Sequence, residues 1–384
     1  MRAAYIGKVQ LSDVDLSYLH EAQKISDITI FMEVTPRYTQ GPAFIIKNIY
    51  PHLGIFKAID IYPELSKFEG FIDTNKLFIV NTPGRLWFFK ALWTNILLLI
   101  ALIKGQYDYV HLVWPPNLYE APIYFIKKKL ILTVHDPFPH SGLNFFMVRL
   151  RRKIAFHLVP KFILLNHTQL KKFEQYYRIP SKRILESRLS IYSYLKTVRP
   201  SIKKKPSNQY ILFFGKISKY KGIEYLFQAM KRVNKVCSDC HLIVAGSGKY
   251  PFNINDYEDL DYIEIQNRFI PEEELVELIK NASFVVCPYT DATQSGVIMS
   301  SFAFNIPIVA TNVGAIPEMV HNGVTGYIVK PKDPNSLSDA IVKLWKNKDL
   351  REAFSKNIAL TFQEGNLSWK QIAKDINFFA NNTI

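Results

Sequence analysis

Short apolar runs that alternate with helix-period stretches constrain the fold of this chain more than any other feature. Each run has the length of a buried strand, and loop residues and a helical pattern follow it. Ten runs are spread along the chain: AAYIG, ITIFM, KLFIV, YDYVHLVW, KLILTVH, FILL, YILFFG, HLIVAG, SFVVCPY and PIVAT. The alternation predicts an α/β protein with parallel sheets covered on both faces and ligands at the carboxyl ends of the strands.

One polar segment divides this pattern in two. Residues 197–209, TVRPSIKKKPSNQ, are basic and contain two prolines, and YILFFG follows them as a new first strand. The 384 residues are enough for two or three domains. We therefore expect two similar doubly wound domains, residues 1–197 and 198–365, with the active site in the cleft between them.

The positive charge of the chain is concentrated in its first half. The net charge is +15, and positions 1–200 contain 27 basic and 14 acidic residues against 21 and 19 in the remainder. A basic first half indicates an anionic partner: nucleic acid, anionic lipid or a phosphorylated substrate. Because no recognised nucleic-acid module accompanies the charge, we do not expect nucleic-acid binding.

Two segments raise the question of membrane contact. Residues 86–103, LWFFKALWTNILLLIALI, are the most apolar, but three polar residues interrupt them and a spanning helix needs about 20 apolar residues. A helix buried beneath a sheet is the expectation. Residues 142–159, GLNFFMVRLRRKIAFHLV, would form a helix with one basic side, which is typical either of an anionic bilayer interface or of a solvated surface. The N-terminal MRAAYIGKVQ lacks a signal-peptide core, so we expect a cytoplasmic protein, with peripheral binding to the inner face of the cytoplasmic membrane left open.

The cysteines and aspartate pairs do not predict a metal site. Cys237 and Cys240 form a lone C-x-x-C, and with only Cys287 in addition neither a zinc ribbon nor a disulfide framework is expected. The D-x-D pairs Asp13–Asp15 and Asp259–Asp261 do not follow convincing strand ends. We expect no metal and no bound cofactor.

The sharper signals lie in the second half. In FFGKISKYKG, Lys216 and Lys221 follow a strand that ends at Gly215, and two ammonium groups there suit a diphosphate. In VAGSGKY, Gly246 allows either a close backbone approach or a plain turn.

A helix start is predicted near Val297, after the polar loop that ends in Ser295 and Gly296. The free N–H groups and the dipole of a helix N-terminus bind phosphate well. Ser295 as a simple N-cap is the alternative, and the two roles are compatible.

These motifs occur together in an order that resembles a known family. The matching stretches are GKISKYKG, LIVAGSG, FIPEEELVELIKNASFVVCPY, SGVIMSSFAFNIPIVATNVGAIPEMVHNGVTGYIV and KDPNSLSDAI. They resemble the nucleotide-binding domain of family 4 retaining glycosyltransferases of the GT-B fold, in which two doubly wound Rossmann-like domains face each other across a cleft. The resemblance implies transfer of a sugar from a nucleotide diphosphate sugar to an acceptor hydroxyl with retention.

The resemblance also implies roles for individual residues. Lys216 takes the place of the family's usual Arg on the donor phosphates, and Lys221 matches its phosphate-binding Lys. The backbone amides of Ser295, Gly296 and Val297 match the segment that holds the distal phosphate. The other donor-binding residues are Gly215, Gly246 and Glu318, the last with a helix-start role equally open.

The sequence departs from the family at its paired glutamates. These normally stand eight positions apart, and here their places are taken by Ala292 and Ser300. The departure resembles a branch of the family in which S-G-V-containing loops replace the pair. It leaves open whether Asp291 compensates.

The first half resembles the acceptor domain of the same fold. His135 follows the predicted strand LILTV, and the family's His at this place contacts the donor sugar and supports catalysis; a structural His is the alternative. Asp136 and His140, in the same loop, are acceptor-side candidates. His111 lies within a predicted strand and is expected to pack.

The C-terminal segment completes the predicted architecture. Residues 367–380, LSWKQIAKDINFFA, read as an amphipathic helix with Trp369, Ile372, Ile376 and Phe379 on one side. The resemblance implies that residues 366–384 cross back onto the N-terminal domain.

The remaining expectations concern mechanism and acceptor. No protein nucleophile is evident, so departure and attack on one face of the sugar is our hypothesis. The expected acceptor is a glycan or lipid-linked acceptor of cell-surface polysaccharide or lipid-linked glycan assembly, although a phosphorylated soluble acceptor also fits the charge. A GT-B sugar-nucleotide epimerase and a non-catalytic sugar-nucleotide-binding protein remain alternatives.

Overall fold

The computed structural model describes the chain except for residues 38, 40, 42, 136, 139–145, 166, 201–208, 258–259, 293 and 383–384, and for the side chains of residues 85 and 86. The chain forms two compact units, Met1–Leu189 with Trp369–Ile384, and Ser190–Ser368. The sequence-based boundaries were 197/198 and 365/366. The first unit ends earlier because the Tyr192 N–H donates to the Met299 carbonyl at 3.2 Å, which ties the residues after 189 to the second unit.

The first unit is built on an eight-stranded sheet of order β3-β4-β2-β1-β5-β6-β7-β8. All neighbouring strands are parallel except β3 and β4. The strands are β1 (Arg2–Lys8), β2 (Asp27–Val34), β3 (Gly54–Lys57), β4 (Leu77–Asn81), β5 (Tyr109–Leu112), β6 (Leu130–Val134), β7 (Lys161–Leu164) and β8 (Ile184–Glu186).

Helices connect these strands. They are α1 (Ser12–Ala22), α2 (Ala58–Ile61), α3 (Phe88–Lys104), α4 (Phe146–Leu158) and α5 (Leu170–Tyr177). A 3₁₀ helix, Leu118–Lys129, joins β5 to β6 and packs against α3. The central strands are almost wholly buried, as expected for a parallel sheet covered on both faces.

The second unit is built on a six-stranded, fully parallel sheet of order β11-β10-β9-β12-β13-β14. The strands are β9 (Tyr210–Phe214), β10 (His241–Ala245), β11 (Ile263–Gln266), β12 (Phe284–Cys287), β13 (Ile308–Thr311) and β14 (Gly326–Val329). The helices are α6 (Ile223–Val236), α7 (Glu272–Asn281), α8 (Gly296–Ala303), α9 (Ile316–Met319), α10 (Pro334–Lys346) and α11 (Lys348–Ile358).

The strand order of the second unit fixes where a ligand is expected. Successive strands run outward from β9 to β11, and the chain then crosses to β12 on the other side of β9. Doubly wound sheets of this order bind ligands at the carboxyl ends of the two strands flanking that reversal. In this sheet those are the ends of β9 and β12.

The last helix, α12 (Trp369–Asn381), belongs to the first unit. Its buried face carries Trp369, Ile372 and Ile376, and the Trp369 ring lies 6.0 Å from that of Tyr18 on α1. The Lys161 ammonium donates to three carbonyl groups at its C-terminal end. The amphipathic helix predicted from the sequence is confirmed, with Phe379 half-buried.

The predicted α/β class with two doubly wound domains is confirmed. Each of the ten apolar runs overlaps a strand. The sequence missed β3, β8 and β11. These strands lie at sheet edges, where side chains pack on fewer neighbours, and their half-exposed residues do not form a continuous apolar run.

The apolar segment 86–103 contains α3, which is buried on one face only. Leu98 and Leu102 are buried, whereas Phe89 is 83% exposed and Trp93 61%. The prediction of a buried helix is therefore correct for one face of α3 and wrong for the other. Across the described part of the chain, no helix combines the length and apolarity needed to cross a membrane.

Candidate functional site

The residues predicted to bind phosphate lie at the strand reversal of the second sheet. β9 leads directly into Gly215, Lys216 and the short 3₁₀ turn Lys219–Lys221. β12 leads through Pro288 and Tyr289 to α8. The two connections touch: a Cβ atom added to Gly215 would lie 3.5 Å from Cγ2 of Val297. The carboxyl ends of β9 and β12 thus form one site.

Lys221 has an unusual environment for a lysine. Its ammonium lies 3.8 Å from the centre of the Tyr289 ring and 5.2 Å from that of Tyr220. Burial lowers the pKa of Lys221, against a weaker opposite effect from Cys287. No ion pair joins it to a carboxylate of the described residues. A partly buried cation without an anionic partner favours binding of an anionic ligand.

Tyr289 connects this lysine to α8. The residue is only 1% exposed, and its hydroxyl is hydrogen-bonded to the hydroxyl of Ser295 at 3.1 Å. Thr311, the last residue of β13, donates from its hydroxyl to the Tyr289 carbonyl at 2.5 Å. This bond holds the backbone of Tyr289 against the end of β13. Sequence reasoning missed Tyr289, although an aromatic residue between two phosphate-binding motifs could have been noticed.

The N-cap residue of α8, Ser295, forms no side-chain capping bond. Ser295 takes the N-cap position with extended backbone, but its hydroxyl makes no capping bond and pairs with Tyr289 instead. No acidic residue lies in the first turn. Among the described residues, the leading N–H groups at Gly296 and Val297 thus receive no capping bond from Ser295, and a helix start of this kind suits an anion. The helix start predicted near Val297 is confirmed.

Gly246 serves a close backbone approach. Its φ is +152°, and a Cβ atom would lie 1.9 Å from the Gly215 carbonyl oxygen. Between the close approach and the plain turn that the sequence left open, the structure shows the close approach. Only glycine lets the β10 loop pack against the β9 loop in this way.

The other second-half candidates differ in exposure. Glu318 is half-buried on the short helix α9, which follows β13. At the positions of the family's paired glutamates, Ser300 is buried in α8 and Ala292 is half-buried. Asp291 is exposed in the loop before α8. Lys216 is exposed beside Gly215.

In the first unit, His135 directly follows β6 and is half-buried, at the strand end predicted for it. Its ring lies 6.1 Å from that of Trp114, which follows β5. His111 packs within β5 as expected: its Nε2 is 2.7 Å from the Thr133 hydroxyl, and burial, with a smaller effect of His135, lowers its pKa to about 3. Asp136 and His140 lie outside the described residues.

The motifs that remain are the three cysteines and the two D-x-D pairs. Cys237, Cys240 and Cys287 are buried free thiols. Asp15 of the first D-x-D pair lies in α1 and accepts a hydrogen bond from the Tyr5 hydroxyl at 2.8 Å. Within the described residues no group of three His, Cys, Asp or Glu side chains could hold a metal ion. Asp259 of the second pair is not described.

Sequence comparison finds a family match in the second unit. Residues 208–347 match the model of the family described as "Glycosyl transferases group 1". An uncharacterized glycosyltransferase from Methanocaldococcus jannaschii is 31% identical over 184 residues, 46% of each chain. The capsular polysaccharide biosynthesis glycosyltransferase CapM from Staphylococcus aureus is 29% identical over 160 residues, 39% of this chain and 40% of CapM. The matches thus span less than half the length of these relatives.

Structure comparison extends to both units. Sucrose-phosphate synthase from Thermosynechococcus elongatus aligns with a TM-score of 0.66 at 14% identity and covers 98% of each chain. Anabaena HepE, in a complex with UDP-glucose, aligns with a TM-score of 0.64 at 12% identity, over 98% of this chain and 99% of HepE. At these identities the likeness concerns the fold, and the GT-B class predicted from the sequence is confirmed.

Substitution of Gly222 tests the junction between the β9 and β12 loops. Gly222 has φ +65°, and a Cβ atom would lie 1.9 Å from the Pro288 carbonyl oxygen; Gly323 has φ +76° and open space around it. We expect Gly323→Ala to lower the free energy of unfolding by about 1–2 kcal/mol, the usual cost of the left-handed conformation. Gly222→Ala should cost clearly more, because the Pro288 carbonyl must move. Urea denaturation measures both, and equal losses would contradict the close packing.

Proposed function

We propose that this chain is a glycosyltransferase that transfers a sugar from a nucleotide diphosphate sugar to an acceptor hydroxyl. The observation that carries the proposal is the junction of Lys221, Tyr289 and the uncapped start of α8 at the strand reversal. A partly buried ammonium and a helix N-terminus are together suited to a diphosphate. The group 1 glycosyltransferase match and the binding of UDP-glucose by HepE support it.

In the proposed mechanism these groups stabilise the departing nucleoside diphosphate. Negative charge develops on the diphosphate as the glycosidic bond breaks, and donors already in place lower the barrier. Lys216 and Lys221 supply positive charge, and the backbone N–H groups of Gly296 and Val297 supply hydrogen bonds. Gly215 and Gly246 let the phosphates approach the backbone. Because the lysines supply this charge, we propose that the reaction needs no metal.

We further propose that the reaction retains the anomeric configuration. The two glutamate positions carry Ala292 and Ser300, so the site lacks that pair of carboxylates near the sugar. Departure of the diphosphate and attack of the acceptor on the same face requires no protein nucleophile. His135 is the residue that we propose to contact the donor sugar, and Glu318 is proposed as a further donor contact. The roles of Asp136 and His140 on the acceptor side stay predictions.

The biological setting that we propose is assembly of a cell-surface polysaccharide or a lipid-linked glycan. The relative CapM is named for capsular polysaccharide biosynthesis, which supports this setting. A sugar-nucleotide epimerase would convert its substrate without any acceptor, and a non-catalytic binding protein would bind nucleotide without turnover. The two experiments below separate these functions.

Replacement of Lys221 tests the diphosphate site. We expect a thermal-shift screen of UDP, GDP, ADP and dTDP to raise the Tm of the wild-type protein with at least one of them. Lys221→Ala should weaken that binding about ten- to a hundredfold, because hydrogen bonds to charged groups contribute about 1.5–3 kcal/mol.

The matched control is Lys219→Ala, which removes an exposed ammonium from the same turn and should leave the affinity near that of wild type. Titration calorimetry measures both variants. Wild-type affinity in Lys221→Ala, or no shift with any of the four nucleotides, would show that the site is misassigned.

The configuration of the product tests the mechanism. The protein is incubated with an acceptor and a sugar nucleotide that it turns over. Proton NMR of the first product should then show the anomeric configuration of the donor. An inverted product would exclude the retaining mechanism. An altered sugar nucleotide formed without acceptor would indicate the epimerase instead.

We also propose that the first unit binds the inner face of the cytoplasmic membrane. Phe89 and Trp93 of α3 are largely exposed, and on the neighbouring 3₁₀ helix Phe125 is 86% exposed and followed by exposed lysines at 127–129. In α4, Phe146 is exposed together with Arg149 and Lys153. Exposed aromatics among basic side chains are typical of surfaces that bind anionic bilayers.

Vesicle co-sedimentation tests this surface. The wild-type protein should pellet with vesicles of phosphatidylcholine and phosphatidylglycerol, and less with phosphatidylcholine alone. Phe89→Ser with Trp93→Ser should lower binding at least tenfold, because inserting each ring contributes roughly 1.5–3 kcal/mol. Phe378→Ser, which removes an exposed ring of α12, is the control. Wild-type protein that stays in the supernatant with anionic vesicles would refute the proposal.

A further inference from the structure

A pocket of about 720 Å³ lies on the first unit, between the C-terminal ends of α4 and α5 and the start of β8. Its volume falls within the range of about 300–1,000 Å³ that is usual for small-molecule sites. Arg183, which lines the pocket, directly precedes β8, and its Nε donates at 2.8 Å to the carbonyl of Pro160, just before β7. The pocket therefore reaches the amino-terminal edge of the first sheet. His135, which follows β6, lies at the opposite edge.

Basic side chains line this pocket, and none of the described residues in its lining is acidic. The basic residues are Lys153 and His157 on α4, Arg178 at the end of α5, and Arg183. Lys153, His157 and Arg178 are exposed, and no ion pair joins them to a carboxylate in the part of the chain that the structure describes. A concave surface with charge of one sign favours a ligand of the opposite sign.

Two of these basic side chains have a structural explanation. Arg183 donates to the carbonyl groups of Val159 and Pro160. His157 lies in the last turn of α4, where a positive charge complements the helix dipole. Lys153 lies before that turn, so the dipole does not explain it.

Arg178 stands in a backbone conformation that does not suit an arginine. It is the C-cap of α5, with φ +53° and ψ +45°, which is the left-handed conformation. Glycine is the usual residue at such a helix end, because the conformation costs other residues free energy. An arginine at a position that favours glycine indicates that its side chain has a role outside the helix end.

The rest of the lining is largely apolar and aromatic. The side chain of Tyr176 is 62% exposed, and its ring centre lies 4.8 Å from that of Tyr177. Phe156 is buried behind them, with its ring centre 4.6 Å from that of Tyr177. A ring held in this way offers an apolar face to a ligand. A ligand that complements the whole pocket thus has an anionic group and an apolar part.

We infer that this pocket binds a phosphate ester, with the phosphate group among Lys153, His157 and Arg178 and the apolar part against Tyr176. Guanidinium and ammonium groups are favoured partners of phosphate because their hydrogen bonds to it are charge-assisted. A phosphate group also has enough acceptor oxygens to meet donors from both helices. The pocket lies in the first unit, whereas the proposed diphosphate site lies in the second.

A phospholipid headgroup and a soluble phosphorylated metabolite share this chemistry, and the position of the pocket favours the headgroup. Residues at every third or fourth position of a helix share one face, and one such face of α4 carries Phe146, Arg149, Lys153 and His157. This face contains the α4 part of the surface proposed to bind anionic bilayers, and it continues into the pocket. The choice of a lipid rests on that proposed membrane binding, whereas the phosphate site does not.

Titration calorimetry with soluble probes tests the pocket without donor, acceptor or turnover. The probes are glycerol 3-phosphate, phenyl phosphate and dihexanoylphosphatidylglycerol below its micelle concentration. At least one should bind, and phenol, which lacks the phosphate, should not. The tightest binding is expected from dihexanoylphosphatidylglycerol. Tighter binding of either other ester would support the phosphate site and refute the lipid as its source.

Replacement of Arg178 distinguishes a ligand contact from a structural role. Arg178→Gly should weaken binding of the esters about tenfold, because hydrogen bonds to charged groups are lost. Its Tm should stay the same or rise, because glycine adopts the left-handed conformation without strain.

The matched control is Lys332→Gly, which removes an exposed cation with φ +59° from the second unit. It should bind the esters as wild type does. A Tm of Arg178→Gly that falls together with its affinity would assign Arg178 a structural role and contradict the inference.

Replacement of Tyr176 tests the apolar part of the pocket. Tyr176→Ser should weaken binding of dihexanoylphosphatidylglycerol about tenfold, because an exposed apolar contact is lost. Glycerol 3-phosphate, which has no apolar part, should bind this variant as it binds the wild type. Unchanged binding of the lipid would contradict the placement of its apolar part against Tyr176.

Failure of this inference and failure of the proposed function give different results. Phosphate esters can also bind at Lys221, so the titrations are repeated with Lys221→Ala. Binding that falls in Arg178→Gly and persists in Lys221→Ala supports the pocket, whatever the nucleotides do. Binding that persists in Arg178→Gly, or no binding of any ester, overturns the inference and leaves the diphosphate site untouched. Esters that bind the pocket of a protein that stays in the supernatant with anionic vesicles would uphold the phosphate site and refute the lipid source.

Discussion

The contact between the Lys221 ammonium and the Tyr289 ring underlies the whole account of the second unit. At 3.8 Å from the ring centre, the ammonium is held by a cation–π interaction, which contributes about 0.5–2 kcal/mol depending on desolvation. The same tyrosine holds Ser295 through its hydroxyl, so one side chain sets the lysine against the start of α8. Burial disfavours the charged form of Lys221. An anionic ligand would supply the opposite charge that stabilises this form.

The two sheets place different chemistry at equivalent positions. At the reversal of the second sheet, the Lys221 ammonium and the start of α8 form the diphosphate site that we propose. At the reversal of the first sheet, the Lys8 ammonium is paired with the carboxylates of Glu33 and Glu120.

Much of the fold could be predicted because parallel strands buried on both faces read as continuous apolar runs. β9 and β12 are wholly buried and were evident in the sequence, whereas the edge strands β3 and β11 are half-exposed and were not. The positions of Lys221 and Gly296 after strand ends were also predictable, since topology alone brings the ends of neighbouring parallel strands together. Local sequence thus predicts only those strands that are buried on both faces.

Tertiary contacts without a local signal could not be predicted. That Tyr289 lies beneath Lys221 depends on the packing of two loops that are 68 residues apart in the chain. The ion cluster of Lys8, Glu33 and Glu120 joins residues from three separate segments, and each reads as an ordinary surface charge in sequence. The exposed face of α3 was likewise hidden, because Phe89 and Trp93 on that face are as apolar as the buried residues of the helix.

A crystal structure with the nucleoside diphosphate that raises the Tm most would test the central claim most directly. The account predicts that the phosphate groups lie within hydrogen-bonding distance of the Lys221 ammonium and of the backbone N–H groups of Gly296 and Val297. The Tyr289 ring should stay beneath the lysine. Phosphate groups bound elsewhere, with Lys221 turned away from them, would contradict it.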